Sequence, residues 1–285
     1  MATPRLFQVM ISIDGSAQSF DCFQVIATQI VTQSLLKPNY RINVLHIFNV
    51  SKEYLAFNQK PDYLHQIYES ELISRLVPNR FSLTWLPYNG RTTTRDQIMT
   101  LADGYRADLL VVGFVGRKGP KADPTILGSA VDHNLRNGRC PLLVVKAPVL
   151  RKDTPASSYL WVVLIDGSER SLKAARFAAG LMAGEYDRMQ LRHVVKGGGE
   201  PEGLRTRAGE TLEGTGVNWT LEVVDAGDAD VQSAVLDYVN QGPDLIDFIV
   251  VGVDGSGVGS KARWQVGHVT EAVLRTSKLN VLIYK

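Results

Sequence analysis

Three stretches of this chain occur twice in the same order, and that duplication limits the available folds more than any other feature. Residues 9–16, VMISIDGS, return as 161–168, WVVLIDGS. Residues 109–116, LLVVGFVG, return as 248–255, FIVVGVDG, and 140–146, CPLLVVK, return as 279–285, LNVLIYK. Asp14 and Asp166 lie 152 positions apart, His46 and His193 147, and Gly113 and Gly252 139, a spacing kept by Gly128 and Gly267. The first copy is therefore 13 residues longer between its first and fourth strands, whereas the glycine-rich loops match in length. Between the copies, residues 147–158, APVLRKDTPASS, have two prolines and no apolar period, the composition of a linker. The expected organisation is one domain over 1–146, a linker over 147–158 and a second domain over 159–285.

Within each copy, β-branched apolar runs alternate with segments of helical period. Strands are expected over 6–13, 41–48, 82–86, 108–112 and 142–146, and again over 159–165, 189–195, 217–224, 248–251 and 281–284. Several are apolar on both faces, as a parallel sheet covered by helices requires. Helices are expected over 19–35, 62–76, 94–105 and 129–137 in the first copy. The alternation implies right-handed crossovers and an α/β fold: two tandem doubly wound, Rossmann-like domains, each on a five-stranded parallel sheet.

Composition narrows the function classes. Of 285 residues, 45% are hydrophobic and 21% charged, enough to bury a core. No apolar run approaches the roughly 20 residues that span a bilayer, and residues 1–13 read as a first strand rather than a signal peptide. Two cysteines, Cys22 and Cys140, neither in a CxxC pair, suit a reducing compartment, so a cytoplasmic protein is expected. A net charge of +2 argues against a dedicated nucleic-acid binder. The charge is +5 over 1–146 and −4 over 159–285, which suits docking of the copies on each other and equally suits solvated surfaces.

Open parallel sheets bind ligands beyond the carboxyl ends of their strands, where strand order reverses. Three features converge there in each copy: an aspartate ending the first strand (Asp14, Asp166), glycines ending the fourth (Gly113 and Gly116; Gly252 and Gly255), and a glycine opening the last helix (Gly128 before Ser129; Gly267 before His268). Glycine lets backbone N–H groups approach an anion, and a helix N-terminus adds unpaired amides and a positive dipole. Ser129, Arg117, Lys118 and Lys121 in the first copy, and Lys261 and Arg263 in the second, could assist. Each element alone is also ordinary turn or cap chemistry. Other motifs lead nowhere: residues 255–261, GSGVGSK, lack the Gly-Lys-Ser/Thr order of a phosphate-binding P-loop. The five histidines form no pair at metal-ligand spacing, His46 and His193 fall inside strands as packing residues, and no catalytic triad is evident.

At these residues the chain resembles the universal stress protein family, twice over nearly its whole length. ATP-binding members carry Gly-x2-Gly-x9-Gly-Ser/Thr after the fourth strand, an Asp ending the first, and a His-Val-like pair in the second. Here stand Asp14, His46-Ile47, Gly113-x2-Gly116 and Gly128-Ser129, then Asp166, His193-Val194, Gly252-x2-Gly255 and Gly267-His268. Both loops hold eleven residues where the pattern has nine, and His268 stands where the pattern has a hydroxyl. The resemblance implies an adenine-nucleotide α-hydrolase-like fold that binds ATP or another adenine nucleotide, with or without Mg. Asp14 and Asp166 would then meet the ribose, main-chain atoms of Ile47 and Val194 the adenine, and the glycine loops with Ser129 the phosphates. It further implies a regulatory stress-response protein with at most slow ATP hydrolysis, and a pseudo-dimer in which 142–146 pairs with 280–284 inside one chain, with homodimers as a further option. The competing reading is a nucleotide-independent interaction module whose glycine loops have degenerated.

Overall fold

The computed structural model of the protein describes residues 5–30, 39–52, 55–77, 79–117, 119, 123, 125–147, 158–184, 186–241, 246–254 and 266–285. The chain divides into two compact units, Met1–Leu150 and Arg151–Lys285. Residues 148–157, most of the expected linker, lie outside the described residues.

The first unit is built on β1 (Phe7–Ile13), β2 (Tyr40–Phe48), β3 (Phe81–Pro87), β4 (Leu109–Gly113) and β5 (Leu142–Val145), in the order β3-β2-β1-β4-β5. Every pairing within it is parallel. The central strands carry apolar runs because both faces are covered: Val9, Met10 and Ile11 are at most 1% exposed, and Leu109–Val112 and Leu142–Val145 are buried. Helices α1 (Ala17–Gln24), α2 (Pro61–Arg75), α3 (Thr94–Gly104) and α4 (Ser129–Asn137) supply the cover. α1 starts two residues before the expected helix because the Ser16 side chain caps it, accepting from the Ser19 N–H at 3.2 Å. It continues as a π-helical stretch, Val25–Ile30, and the remainder of the expected helix lies outside the described residues.

The second unit repeats the plan with β6 (Leu160–Leu164), β7 (Arg188–Val195), β8 (Asn218–Asp225), β9 (Phe248–Gly252) and β10 (Asn280–Tyr284). Their order, β10-β9-β6-β7-β8, is the same topology, again parallel throughout. Its helices are α5 (Glu169–Leu181), α6 (Leu204–Leu212), α7 (Val231–Gln241) and α8 (His268–Thr276). In both units the strand order reverses between the first and fourth strands, so the switch point falls at Asp14 in one copy and Asp166 in the other.

A second aspartate pair clasps the same two strands at their opposite, amino-terminal ends. The Asp108 carboxylate accepts from the Gln8 N–H at 2.8 Å while its own N–H donates to the Gln8 carbonyl at 2.8 Å. Asp247 does the same to Leu160, accepting at 2.7 Å and donating at 3.1 Å. Each closes the first and fourth strands together just ahead of the ladder. The sequence signal was present, an Asp immediately before each fourth strand. No helix among the described residues is long and apolar enough to cross a membrane.

Candidate functional site

Both Asp-Gly-Ser turns are folded alike. Asp14 accepts from the Ser16 N–H at 3.0 Å, and Asp166 from the Ser168 N–H at 3.0 Å. Gly15 and Gly167 take the left-handed φ values +83° and +80° that the turn demands and that a Cβ disfavours. Ser16 and Ser168 then cap α1 and α5. One oxygen of each aspartate thus serves turn chemistry.

In the first copy the second oxygen, Asp14 Oδ2, accepts from the Arg117 N–H at 2.6 Å. Gly116 lies directly over this carboxylate, and a Cβ there would sit 2.8 Å from Oδ2. Gly113 faces Gln18, whose Oε1 accepts from the Val115 N–H at 2.6 Å and whose Nε2 donates to the Lys146 carbonyl at 3.0 Å. Gly128 opens α4 without a side-chain cap, and its Cα approaches the Phe114 carbonyl so closely that a Cβ would fall 2.9 Å from that oxygen. Ser129 is exposed as the first residue of α4. Ile47 follows His46, the β2 partner of Ile13, so its backbone is one step past the ladder, beside Asp14. Structure thus gathers Asp14, Ile47, Gly113, Gly116, Gly128 and Ser129 at one sheet edge. Lys118 and Lys121 lie outside the described residues.

His46 is 1% exposed and its Nδ1 meets the Ile13 carbonyl at 3.0 Å, with Phe48 and Trp85 against its ring. Burial holds its pKa below the ordinary imidazole value. His193 makes the same contact with the Ile165 carbonyl at 2.8 Å. Both rings tie the second strand to the first beneath the sheet edge, the packing role expected of them.

In the second copy a cavity of about 710 Å³ opens at the same edge. Asp166, Val194, Gly252, Gly267 and His268 all stand in its wall. Gly267 caps α8 with no side-chain cap, its N–H donating to the Val253 carbonyl at 2.8 Å, and the Thr270 hydroxyl donates to the Gly252 carbonyl at 2.6 Å. Gly255, Lys261, Arg263 and the GSGVGSK stretch lie outside the described residues. Two charged residues that the motifs did not flag also line the cavity. Asp254 is ion-paired with Arg170. Arg192 pairs with Glu222 at 2.7 Å, its guanidinium 3.4 Å from the centre of the Tyr238 ring, with only 11% of the side chain exposed. The corresponding position in the first copy's second strand, one residue before His46, is Leu45, so comparing the copies would have revealed this substitution.

Such an edge has the parts that a ligand with an apolar ring and an anionic group would use: an apolar-walled cavity, a carboxylate, and a helix N-terminus without a side-chain cap in the wall. Among the described residues no group of three or more His, Cys, Asp or Glu side chains could hold a metal ion.

The fold is a duplicated, doubly wound α/β arrangement with the same strand-end aspartate at the switch point of each copy. A universal stress protein from Archaeoglobus fulgidus DSM 4304 superposes on 98% of this chain and 98% of its own, with a TM-score of 0.63 at 17% identity. The chain has the universal stress protein fold over its full length, in two copies. A curated universal stress protein of Methanocaldococcus jannaschii is 38% identical over 53 residues, which make up 19% of this chain and 30% of that protein's length. A universal stress protein family protein from Arabidopsis thaliana, solved with AMP bound, aligns with 50% of this chain and 91% of its own at 16% identity, with a TM-score of 0.34. No protein-family model matches the chain.

Proposed function

We infer that the chain is a nucleotide-binding regulatory protein of the universal stress protein kind, and that the second copy's cavity receives ATP or another adenine nucleotide. The observation that carries this reading is the meeting of Asp166, Val194, Gly252, Gly267 and His268 in the wall of one cavity of about 710 Å³. By the family resemblance the first four occupy the positions for ribose, base and phosphates, and His268 stands where the pattern has a hydroxyl. Asp166 stands in the cavity wall, and a carboxylate there can accept from ribose hydroxyls. Val194 offers main-chain atoms for the base, and the amides of α8 face the phosphates, where His268 replaces a hydroxyl without removing amides or dipole. A Mg ion arriving with the nucleotide would be held chiefly by its phosphates.

Mass spectrometry of freshly purified, denatured protein tests the reading, followed by calorimetric titration with ATP. Released nucleotide or measurable uptake supports it. Neither, at ATP concentrations in the millimolar range, hands the case to the interaction-module reading. That alternative draws on one observation, that loop amides of the first copy are taken up by the protein's own side chains. The reading includes pairing of 142–146 with 280–284 within one chain; the amides of both strands should then be among the slowest to exchange, as open edges would not be.

A further inference from the structure

Arg192 interrupts the apolar wall of the second copy's cavity, with 11% of its side chain exposed. Burying a guanidinium is costly, and the strand does not require one, since the same place in β2 is taken by Leu45. Four side chains close a circuit around the group. Arg192 Nη1 donates to Glu222 Oε2 at 2.7 Å, Gln190 Nε2 donates to the same oxygen at 2.6 Å, and the Tyr238 hydroxyl donates to Gln190 Oε1 at 2.7 Å. Tyr238 completes the circuit, because the guanidinium carbon stands 3.4 Å from the centre of its ring. At that separation the guanidinium has to lie flat, since a steep tilt would drive a nitrogen into the π face. Arg192 Nε is buried with no hydrogen-bond partner among the described residues, so hydrogen bonding alone does not account for an arginine here. What the circuit fixes is the orientation of a plane, one face of which is covered by Tyr238.

We propose that the other face of the Arg192 guanidinium is the platform on which the adenine ring of the ligand stacks. A guanidinium is planar and delocalised and stacks on aromatic faces, so Tyr238, Arg192 and the base form three layers with the cation in the middle. The placement suits this. Arg192 and Val194 share a face of β7, two residues or about 7 Å apart, so a base that meets the Val194 main chain lies within reach of the guanidinium. Val231 and Val235, on the face of α7 that carries Tyr238, wall the cavity beside it. The inference rests on the nucleotide reading above and adds to it the side chain that holds the base. Ribose and phosphates have no flat π face, so the platform acts on the base alone.

Two measurements on the full chain test this. The first is calorimetric titration with ATP. Arg192→Leu, which installs the first copy's residue, and Arg192→Lys, which keeps the charge without the plane, should each weaken ATP roughly tenfold, the worth of a desolvated cation–π contact. Thermal melts show whether each variant is folded, and Arg192→Lys carries the test if the leucine variant is not. The second is NMR of the Arg192 Nε–H, a buried proton identified by its loss in Arg192→Lys. A base stacked on the guanidinium should shift this signal upfield by its ring current when ATP is added, which a merely structural arginine would not show. Wild-type affinity in both variants overturns the platform, and so does wild-type affinity in Arg192→Lys alone, since charge rather than stacking would then be at work. An Nε–H signal that stays in place while the wild type takes up ATP overturns it too, whatever the variants do. No uptake of ATP by the wild type at millimolar concentration is a different failure: it overturns the nucleotide reading, and the platform falls with it.

Discussion

The two copies share a topology, a twin aspartate clamp, twin Asp-Gly-Ser turns and twin buried histidines, yet they carry different side chains at the sheet edge. In the first, the Val115 and Arg117 amides donate to Gln18 and Asp14; in the second, Arg170 ion-pairs with Asp254, which lines a cavity of about 710 Å³ together with Arg192. What differs is not the scaffold but a few side chains on it: Gln18 against Arg170, Val115 against Asp254, Leu45 against Arg192, Ser129 against His268. The comparison teaches that a duplicated site diverges where a side chain meets a loop amide, while bonds that hold strand to strand stay in both copies. On motif grounds Ser129 made the first copy look the better binder. A hydroxyl at a helix start adds one hydrogen bond, whereas two amides of the first copy's loop, those of Val115 and Arg117, are already bonded to Gln18 and Asp14.

The largest expected contrast is in affinity. Asp166→Ala should weaken ATP binding by roughly 1.5–3 kcal/mol, the range for hydrogen bonds to a charged group. Asp14→Ala should change it far less. Isothermal titration of both variants decides, and equal losses would erase the distinction between the copies. Next comes packing. Gly116→Ala and Gly128→Val place carbons against Asp14 Oδ2 and the Phe114 carbonyl, and each should destabilise the first copy by about 1–3 kcal/mol in urea unfolding. The backbone oxygen at Phe114 can yield less than the aspartate side chain, so the change at Gly128 should be the costlier.

Where the copies are alike, their variants should be alike too. Ser16→Ala and Ser168→Ala each remove an N-cap of the same geometry, both bonds 3.2 Å long, and should cost about 1 kcal/mol apiece. A large difference between the two in thermal unfolding would show that one helix is anchored mainly by other means.

Much of this was legible in the sequence. The strand sets, the order of elements and the convergence of Asp14 with Gly113, Gly116 and Gly128 follow from periodicity and from the rule that parallel sheets bind ligands at their carboxyl edge. The bonds from the Val115 and Arg117 amides to Gln18 and Asp14 were not legible, because they depend on which way two side chains turn at distances under 3 Å, and nothing in the sequence singles out Gln18. Arg192 escaped for a related reason. A charged residue inside an apolar strand can be accommodated only by partners from elsewhere, here Glu222 on β8 and Tyr238 on α7, and strand patterning does not reveal such long-range pairing. The start of α1 was misplaced because Ser16 caps it by accepting from the Ser19 N–H, so the helix opens at Ala17, two residues before the expected start at Ser19.

The smallest expected effect concerns acid. Burial lowers the His46 pKa in the folded protein below its unfolded value of about 6.5, so the unfolded chain binds the proton more readily. The sign follows from linkage: stability from the neutral imidazole is fully present above the unfolded pKa and is lost as pH falls through about 6.5 toward the lower folded value. Urea unfolding between pH 7.5 and about 5 should therefore show stability falling toward the acid end. In His46→Phe that slope should flatten, even though the variant is less stable at every pH for want of the bond to the Ile13 carbonyl. The slope, not the level, is the readout, because lost packing lowers the whole curve without tilting it. An unchanged slope in His46→Phe would mean that other groups set the acid response, and that the buried ring has no titration of its own to report.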